Sequence, residues 1–296
     1  MNVRPLSPTA PAKSAAQLLM EQETRVRYGA VPHTLFEEPL VEKRWQMAPG
    51  QCLLRGEGDH YFHYRQGEGI TVERGANADL SEENLWLNGS VYSAIASMNG
   101  LVPIHASAVS IDGDVFAFTG PAGAGKSTLV AALAGLGLPM YCDDTLVLDL
   151  AAPDRITCLP GHKRLKLRPD AVALTGATPQ ERVSRTVDKV YAVPAQASEA
   201  ISLPLAELIF LQEGEEAVMM PISGAERFVR MQDDHQTAHL LAAARMFDKA
   251  ERFAHLSRLA RQIPMALFVR PRDPARFAGG AELVARYLRN LRAPAS

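Results

Sequence analysis

The stretch Gly120–Thr128, which reads GPAGAGKST, constrains the fold of this chain more than any other segment. It matches the pattern GxxxxGK[ST], follows an apolar segment from Val115 to Thr119, and precedes an alanine- and leucine-rich segment from Leu129 to Leu138. Glycines let the backbone turn so that successive N–H groups face one point, and the positive end of the following helix adds to them. The sequence therefore predicts a strand, an anion-binding loop and a helix, which together form the core of an α/β fold.

This pattern is typical of loops that bind a nucleoside triphosphate, so ATP and Mg²⁺ are the predicted cofactors. We expect the ammonium group of Lys126 to reach the β- and γ-phosphates and the hydroxyl of Ser127 to bind Mg²⁺. All residues of the loop are candidates for contact with the nucleotide: Gly120, Pro121, Ala122, Gly123, Ala124, Gly125, Lys126, Ser127 and Thr128.

Two adjacent carboxylates, Asp143 and Asp144, follow a short apolar segment beyond the loop. In many proteins with such a loop, an acidic residue at the end of a strand holds Mg²⁺. A pair of carboxylates can divide the work, because one can hold the metal while the other accepts the proton of an attacking hydroxyl. A solvated turn is the alternative, but the apolar residues on both sides, Met140 and Leu146 among them, argue against it. Both aspartates and Lys126 are therefore candidate catalytic residues.

Local patterns divide the chain into two parts, residues 1–99 and 100–296. Prolines and small residues up to about Ala16 indicate a loose leader, and alternating apolar and polar residues from Cys52 to Arg74 indicate a small β-rich region. The apolar spacing from Glu83 to Met98 favours a helix.

Two hairpins are expected in the second part. Val102 to Ser110 and Asp114 to Thr119 read as strands around an Asp112-Gly113 turn, which is a strong hairpin signal. Leu205 to Gln212 and Ala217 to Ile222 read as a second pair of strands.

The composition fits an ordinary soluble globular protein, with 47% apolar and 22% charged residues. From about Gly224 the chain reads as mostly helical, with a strand-like break from Pro264 to Val269. The predicted architecture is thus a P-loop nucleotide-binding core with a small N-terminal β-rich region and a mostly helical C-terminal part.

A basic segment follows the aspartate pair. Arg164, Lys166 and Arg168 alternate with leucines, so a strand would place the three cations on one face. They are candidates for contact with a phosphate or an acidic acceptor, Arg164 and Lys166 in particular, and a solvated strand face is the equal alternative. Lys189 is a weaker candidate of the same kind.

The order of these motifs resembles the catalytic core of the HPr kinase/phosphorylase family. The resemblance rests on His105, then FTGPAGAGKST, then YCDDTLVL. The segment LPGHKRLKLRPDAV and the later Val187-Asp188-Lys189 are similar to bacterial HPr-kinase-related proteins, some of which belong to lasso-peptide pathways.

This resemblance implies a fold similar to ATP-type phosphoenolpyruvate carboxykinase and transfer of the γ-phosphate of ATP to a serine-type hydroxyl of a peptide or protein. It implies that Asp143 is the general base, that Asp144 assists Mg²⁺ and orients the base, and that His105 lies beside the phosphates. Family relatives form ring-like assemblies, so a homo-oligomer is one option, but no interface can be read from this sequence and the oligomeric state stays open. The chain departs from the family at Thr128, where HPr kinases have an acidic residue.

Other classes of function are disfavoured. The net charge of -2 gives no reason to expect nucleic acid as a partner, and no apolar stretch is long enough to cross a membrane. Cysteines at 52, 142 and 158 form no CxxC pair, which suits a cytoplasmic protein. Two alternatives remain open: a kinase for the hydroxyl of a small metabolite, and a nucleotide-binding or ATPase module without kinase activity.

Overall fold

The computed structural model of the protein describes residues 13–42, 44–76, 78–161, 163–185, 187–232 and 249–292. Residues 1–12 of the predicted leader lie outside the described residues. Helix α1, Ala15–Glu23, begins with a capping box: the Gln17 N–H donates to the Ser14 hydroxyl, and the Ser14 N–H donates to the Gln17 side chain. The prediction of a loose leader up to about Ala16 is wrong for its last residues, because the helix capped by Ser14 already begins at Ala15.

A five-stranded sheet follows α1, in the order β1-β5-β4-β3-β2. Its strands are β1 (Val26–Tyr28), β2 (Arg44–Ala48), β3 (Gln51–Arg55), β4 (Tyr61–Arg65) and β5 (Gly69–Glu73), with a short 3-10 turn at Glu57–Asp59. A helical stretch comes next: α2 (Leu80–Trp86), a π-helical turn (Leu87–Val91) and α3 (Tyr92–Met98). The β-rich region and the helix that were predicted here are both confirmed.

A nine-stranded sheet dominates the rest of the described chain. Its order is β6-β10-β11-β15-β8-β7-β9, with β17 beside β15 and β16 beside β17. Its strands are β6 (Val102–Ile104), β7 (Ala106–Ile111), β8 (Asp114–Thr119), β9 (Met140–Cys142), β10 (Leu146–Asp149), β11 (Thr157–Pro160), β15 (Leu203–Glu213), β16 (Val218–Ile222) and β17 (Met265–Arg270).

The hairpin at Asp112-Gly113 is confirmed. Strands β7 and β8 pair antiparallel with Ile111 opposite Asp114, and both turn residues have positive φ, 50° and 83°. These values fit a two-residue turn whose twist matches that of the strands. The first strand is shorter than predicted, because the chain breaks at His105 and β6 pairs with β10 instead.

The prediction that β15 and β16 form a hairpin is wrong. Strand β17 lies between them, parallel to β15 and antiparallel to β16. The first four residues of β17, from Met265 to Phe268, are buried. A central position between β15 and β16 removes the apolar side chains of β17 from water, which direct pairing of β15 with the largely exposed β16 would not do.

Helices and a small third sheet cover the large sheet. The small sheet has the order β12-β14-β13, with β12 (Leu165–Leu167), β13 (Thr178–Arg182) and β14 (Val190–Val193). The helices are α4 (Lys126–Gly135), α5 (Pro169–Thr175), α6 (Ala225–Gln232), α7 (Lys249–Gln262) and α8 (Pro274–Asn290). One buried cluster joins α4, α5 and α8 to the sheet, and a second joins α6 and α7 to it.

The architecture is a mixed α/β fold, and the described residues after Gly224 are mostly helical, as predicted. Residues 1–99 and 100–296 carry different sheets, but a shared cluster packs α3 and the first sheet against Val147 and Leu159 of the large sheet. The division into two domains therefore stays a prediction. Within the described ranges, no helix has both the length and the apolar character needed to cross a membrane.

Candidate functional site

The candidate site lies where three parallel strands of the large sheet end. Strands β8, β15 and β17 run in the same direction, with Phe210 opposite Thr119 and Glu213 opposite Arg270. Their carboxyl ends therefore share one edge of the sheet, and the loop from Gly120 to Gly125 leaves β8 at that edge. In open α/β sheets, this edge is where ligands bind.

The loop turns through two glycines that have positive φ. Gly123 and Gly125 have φ of 80° and 85°, values that residues with a side chain rarely adopt. Helix α4 begins at Lys126, directly after the loop, and its N-cap residue is Gly125, which has no side chain to cap the first N–H groups. Those N–H groups and the positive end of the helix are thus free to meet an anion.

The ammonium group of Lys126 is folded back onto the loop. It donates hydrogen bonds to the carbonyls of Gly120 (2.8 Å) and Pro121 (3.2 Å), and only 5% of the residue is exposed. Burial lowers the pKa of Lys126 to about 8, although Asp143 and Asp144 act in the opposite direction. The side chain is therefore a cation at neutral pH that lacks a direct carboxylate partner at hydrogen-bond distance among the described residues.

Asp143 is held inside the protein. It lies in the turn between β9 and β10 and is 0% exposed. Its Oδ1 accepts a hydrogen bond from the Ser107 hydroxyl (2.6 Å), and its Oδ2 accepts one from the backbone N–H of Lys166 (3.0 Å). Both oxygens thus have a protein partner, and the hydrogen bonds join β7, the turn and β12.

The side chain of Asp144 points away from that of Asp143 and borders a cavity beside the loop. Its φ is 72°, a left-handed value that separates the directions of the two neighbouring carboxylates. Its Oδ2 accepts from the Lys166 ammonium at 2.8 Å, and its Oδ1 is 3.8 Å from Nε2 of His105. Burial alone would raise the pKa of Asp144, but the nearby cations, Lys166 first, outweigh it and lower the pKa to about 2.

His105 lies at the break between β6 and β7, beside Asp144. Burial lowers the pKa of His105, and the charge of Lys126 lowers it further, while Asp144 acts against both. The imidazole is therefore neutral at pH 7. In that form it can accept or donate a hydrogen bond at the cavity without adding a charge.

A cavity of about 490 Å³ brings most of the predicted residues together. The predicted residues that line it are His105, Ala122, Gly123, Gly125, Lys126, Ser127, Thr128, Asp143, Asp144 and Lys166. Gly120, Pro121 and Ala124 line a neighbouring cavity instead. The geometry thus places the loop, both aspartates and the histidine around one space.

Arg164 lies apart from both cavities. Its guanidinium donates to Glu181 at 2.5 Å and to Gln180 at 2.8 Å, and it lies 4.0 Å from the ring centre of Tyr191. The predicted common face of Arg164, Lys166 and Arg168 is not seen, because β12 spans only Leu165–Leu167 and Lys166 points to the partly exposed Asp144.

Two arginines were missed by sequence reasoning. Arg270 and Arg272 line both cavities, and Arg270 donates to the carbonyl of Ala124 at 2.7 Å. The available signal was an apolar strand followed by Arg-Pro-Arg-Asp-Pro, since charged residues that follow a strand face the ligand edge of a parallel sheet. Ser107, which holds Asp143, was also missed, and a serine inside an apolar strand gives no such signal.

The described residues contain no group of three or more His, Cys, Asp or Glu side chains that could hold a metal ion. Ser127 and Asp144 border the same cavity. This donor set does not suit zinc, which needs three or four protein ligands. It suits Mg²⁺, which commonly takes one or two protein ligands together with phosphate oxygens and water.

No protein-family model and no curated protein matches the chain. Among solved structures, the chain is similar to the Hpr(Ser) kinase/phosphatase from Coxiella burnetii, with 14% sequence identity. The alignment covers 64% of this chain and 95% of that chain, with a TM-score of 0.34.

Proposed function

We propose that this protein is an ATP-dependent kinase that transfers the γ-phosphate to a serine-type hydroxyl of a peptide or protein. One observation carries the proposal: the glycine loop at the start of α4 and the partly exposed Asp144 after β9 border a single cavity of about 490 Å³, with the buried Asp143 in its wall. Phosphoryl transfer needs little covalent chemistry from the protein, so positioning and charge are its main requirements.

The cations around the cavity suit a triphosphate. Lys126, Lys166, Lys189, Arg168 and Arg270 line the cavity. The ammonium group of Lys166 forms an ion pair with Asp144. The ammonium group of Lys126, by contrast, donates only to neutral carbonyls of its own loop in the described structure. A phosphate that replaces those carbonyls would gain a charge-assisted hydrogen bond, which stabilises binding.

Mg²⁺ fits this site through Ser127 and Asp144. With a pKa of about 2, Asp144 is ionised at neutral pH, as a ligand of a hard cation must be. When bound, the ion would neutralise charge on the phosphates. The protein itself would hold the phosphates with the loop N–H groups and Lys126.

The burial of Asp143 changes the assignment of the aspartates. The resemblance makes Asp143 the base, but a base must be within reach of the hydroxyl that it deprotonates. Asp144 has a third of its side chain exposed, while Asp143 has no exposed surface and donors on both oxygens. We therefore propose that Asp144 orients the acceptor hydroxyl and that Asp143 is a positioning residue, which holds Ser107 and the backbone of Lys166.

A large acceptor is supported by the rim of the cavity. Arg168 and Arg272 line it with side chains that are 65% and 63% exposed. Exposed guanidinium groups at a rim can contact a polypeptide that does not enter the cavity completely. A kinase for a small metabolite would instead need a site that closes around its substrate.

Incubation of the full chain with γ-labelled ATP and Mg²⁺ tests the proposal, with a pool of serine-containing peptides and a pool of hydroxyl metabolites as separate acceptors. We expect label on peptides, and a loss of about 10²–10⁴-fold in transfer by Asp144→Asn. The exposed Asp154 gives a matched control, Asp154→Asn, which should keep wild-type activity. Label on metabolites would favour the small-molecule kinase, and free phosphate alone would favour an ATPase module.

A further inference from the structure

A second cavity, of about 390 Å³, lies on the other side of the phosphate loop. Its walls are Gly120, Pro121 and Ala124 of the loop, residues 210–213 of β15, and Arg230 of α6. The loop therefore separates this cavity from the one that contains Lys126 and the aspartates. Its volume lies within the range of about 300–1,000 Å³ that is usual for small-molecule sites.

The two cavities meet at two shared side chains. Arg270 and Arg272 line both. Arg270 donates to the carbonyl of Ala124, which joins the end of β17 to the loop between the cavities. A ligand with an anionic end against the loop can therefore extend from one cavity into the other along these guanidinium groups.

We propose that the second cavity binds the purine base and ribose of the triphosphate whose phosphates lie against the loop. This inference rests on the proposed function. The acceptor must approach the cavity with the aspartates, so the opposite end of the nucleotide has to leave the loop on the other side. The second cavity lines that side of the loop.

The walls of the second cavity suit a flat aromatic ring. Phe210 and Leu211 supply apolar surface at its floor. The guanidinium group of Arg230 is fixed by hydrogen bonds to Gln212 (3.0 Å) and Glu226 (3.2 Å). A planar guanidinium held in this way loses little freedom when it stacks on a base.

The second cavity also contains a hydrogen-bond acceptor for the ribose hydroxyls. Glu213 lines the cavity, and its Oε2 pairs with Nε of Arg272 at 2.8 Å. A carboxylate has acceptor capacity on both oxygens, so Glu213 can accept from a ribose hydroxyl while it keeps this ion pair.

A comparison of two ligands separates the contribution of the nucleoside to the binding affinity from that of the phosphates. MgATP and magnesium tripolyphosphate are titrated into wild type, Arg230→Ala and Lys126→Met by calorimetry. We expect Arg230→Ala to lower the affinity for MgATP about tenfold and to leave that for tripolyphosphate unchanged, since stacked cations contribute on this scale. Lys126→Met should weaken both ligands. The exposed Arg286 on α8 gives a matched control, Arg286→Ala, which should bind both ligands as wild type does.

Photo-crosslinking with 2-azido-ATP gives an independent measurement of the position of the base. An adduct on residues 210–213 or on Arg230 supports the inference. An adduct confined to α5, together with unchanged MgATP affinity in Arg230→Ala, would overturn it while the kinase proposal stands. Failure of wild type to bind either ligand would overturn both.

Discussion

The ion pair between Lys166 and Asp144 should couple the stability of the protein to the charge of its candidate site. Lys166→Met removes the ammonium group but keeps the aliphatic chain and the backbone N–H that donates to Asp143. Lys166 is 6% exposed, so the pair is shielded on one side, and Asp144 faces the cavity on the other. Removal of the cation leaves a carboxylate whose burial is no longer compensated.

The magnitude follows from the pKa of Asp144. A fall from 3.8 to about 2 corresponds to roughly 2.5 kcal/mol, at about 1.4 kcal/mol per pH unit. A third of the side chain is exposed, so solvent screening reduces this to about 1–1.5 kcal/mol. Because the pKa of Asp144 is lowered in the folded state, this stability is present above pH about 4 and is lost as the pH falls through about 2.

A double-mutant cycle with Lys166→Met and Asp144→Asn measures this energy through urea unfolding. We expect a coupling of at least about 1 kcal/mol at pH 7, because the pKa shift is what remains of the attraction to Lys166 and its neighbours after the opposing effect of burial. The difference between wild type and Lys166→Met should narrow between pH 4 and pH 2. NMR titration of the Asp144 carboxyl should show its pKa rising in Lys166→Met. A coupling below about 0.3 kcal/mol, which is the scatter of independent sites, would refute the reasoning.

Three further results are expected. The affinity for MgATP should fall as the pH rises above about 8, where free Lys126 loses its proton, and Lys126→Met should bind weakly at every pH in the same titration. Gly123→Ala should cost about 1–2 kcal/mol of unfolding free energy through its positive φ. Gly125→Ala should cost a similar amount in thermal melts, because it has the same positive-φ cost and its methyl group meets only the movable end of the Arg270 side chain. Tyr287→Phe removes the hydroxyl that donates to the buried Glu207 (2.7 Å) and should lower stability by about 1–3 kcal/mol in urea; an unchanged midpoint would contradict this.

Local backbone chemistry made several features predictable from the sequence. The glycine pattern of the loop, the apolar segment before it and the helix after it are all observed. The Asp112-Gly113 turn is observed as well, because both residues tolerate positive φ at little cost. Each of these signals lies within a few neighbouring residues, so no distant contact was needed to interpret it.

The surroundings of the aspartates were only partly predictable. Their position after a short strand was expected, and their different burial was not. That difference depends on Ser107 and on the backbone of Lys166, which lie far from Asp143 in the sequence. A left-handed residue at Asp144 then turns the second carboxylate toward the cavity.

By itself, the sequence determined the glycine-rich loop, its helix and the candidate carboxylates, since each is encoded by residue types at short spacing. Only the tertiary structure decided that β17 lies between β15 and β16, which brings Arg270 and Arg272 to the loop. The pairing of distant apolar strands depends on which faces can be buried together, and no local pattern specifies that partner. The second cavity exists for the same reason, because its walls come from the loop, β15, α6 and the segment after β17.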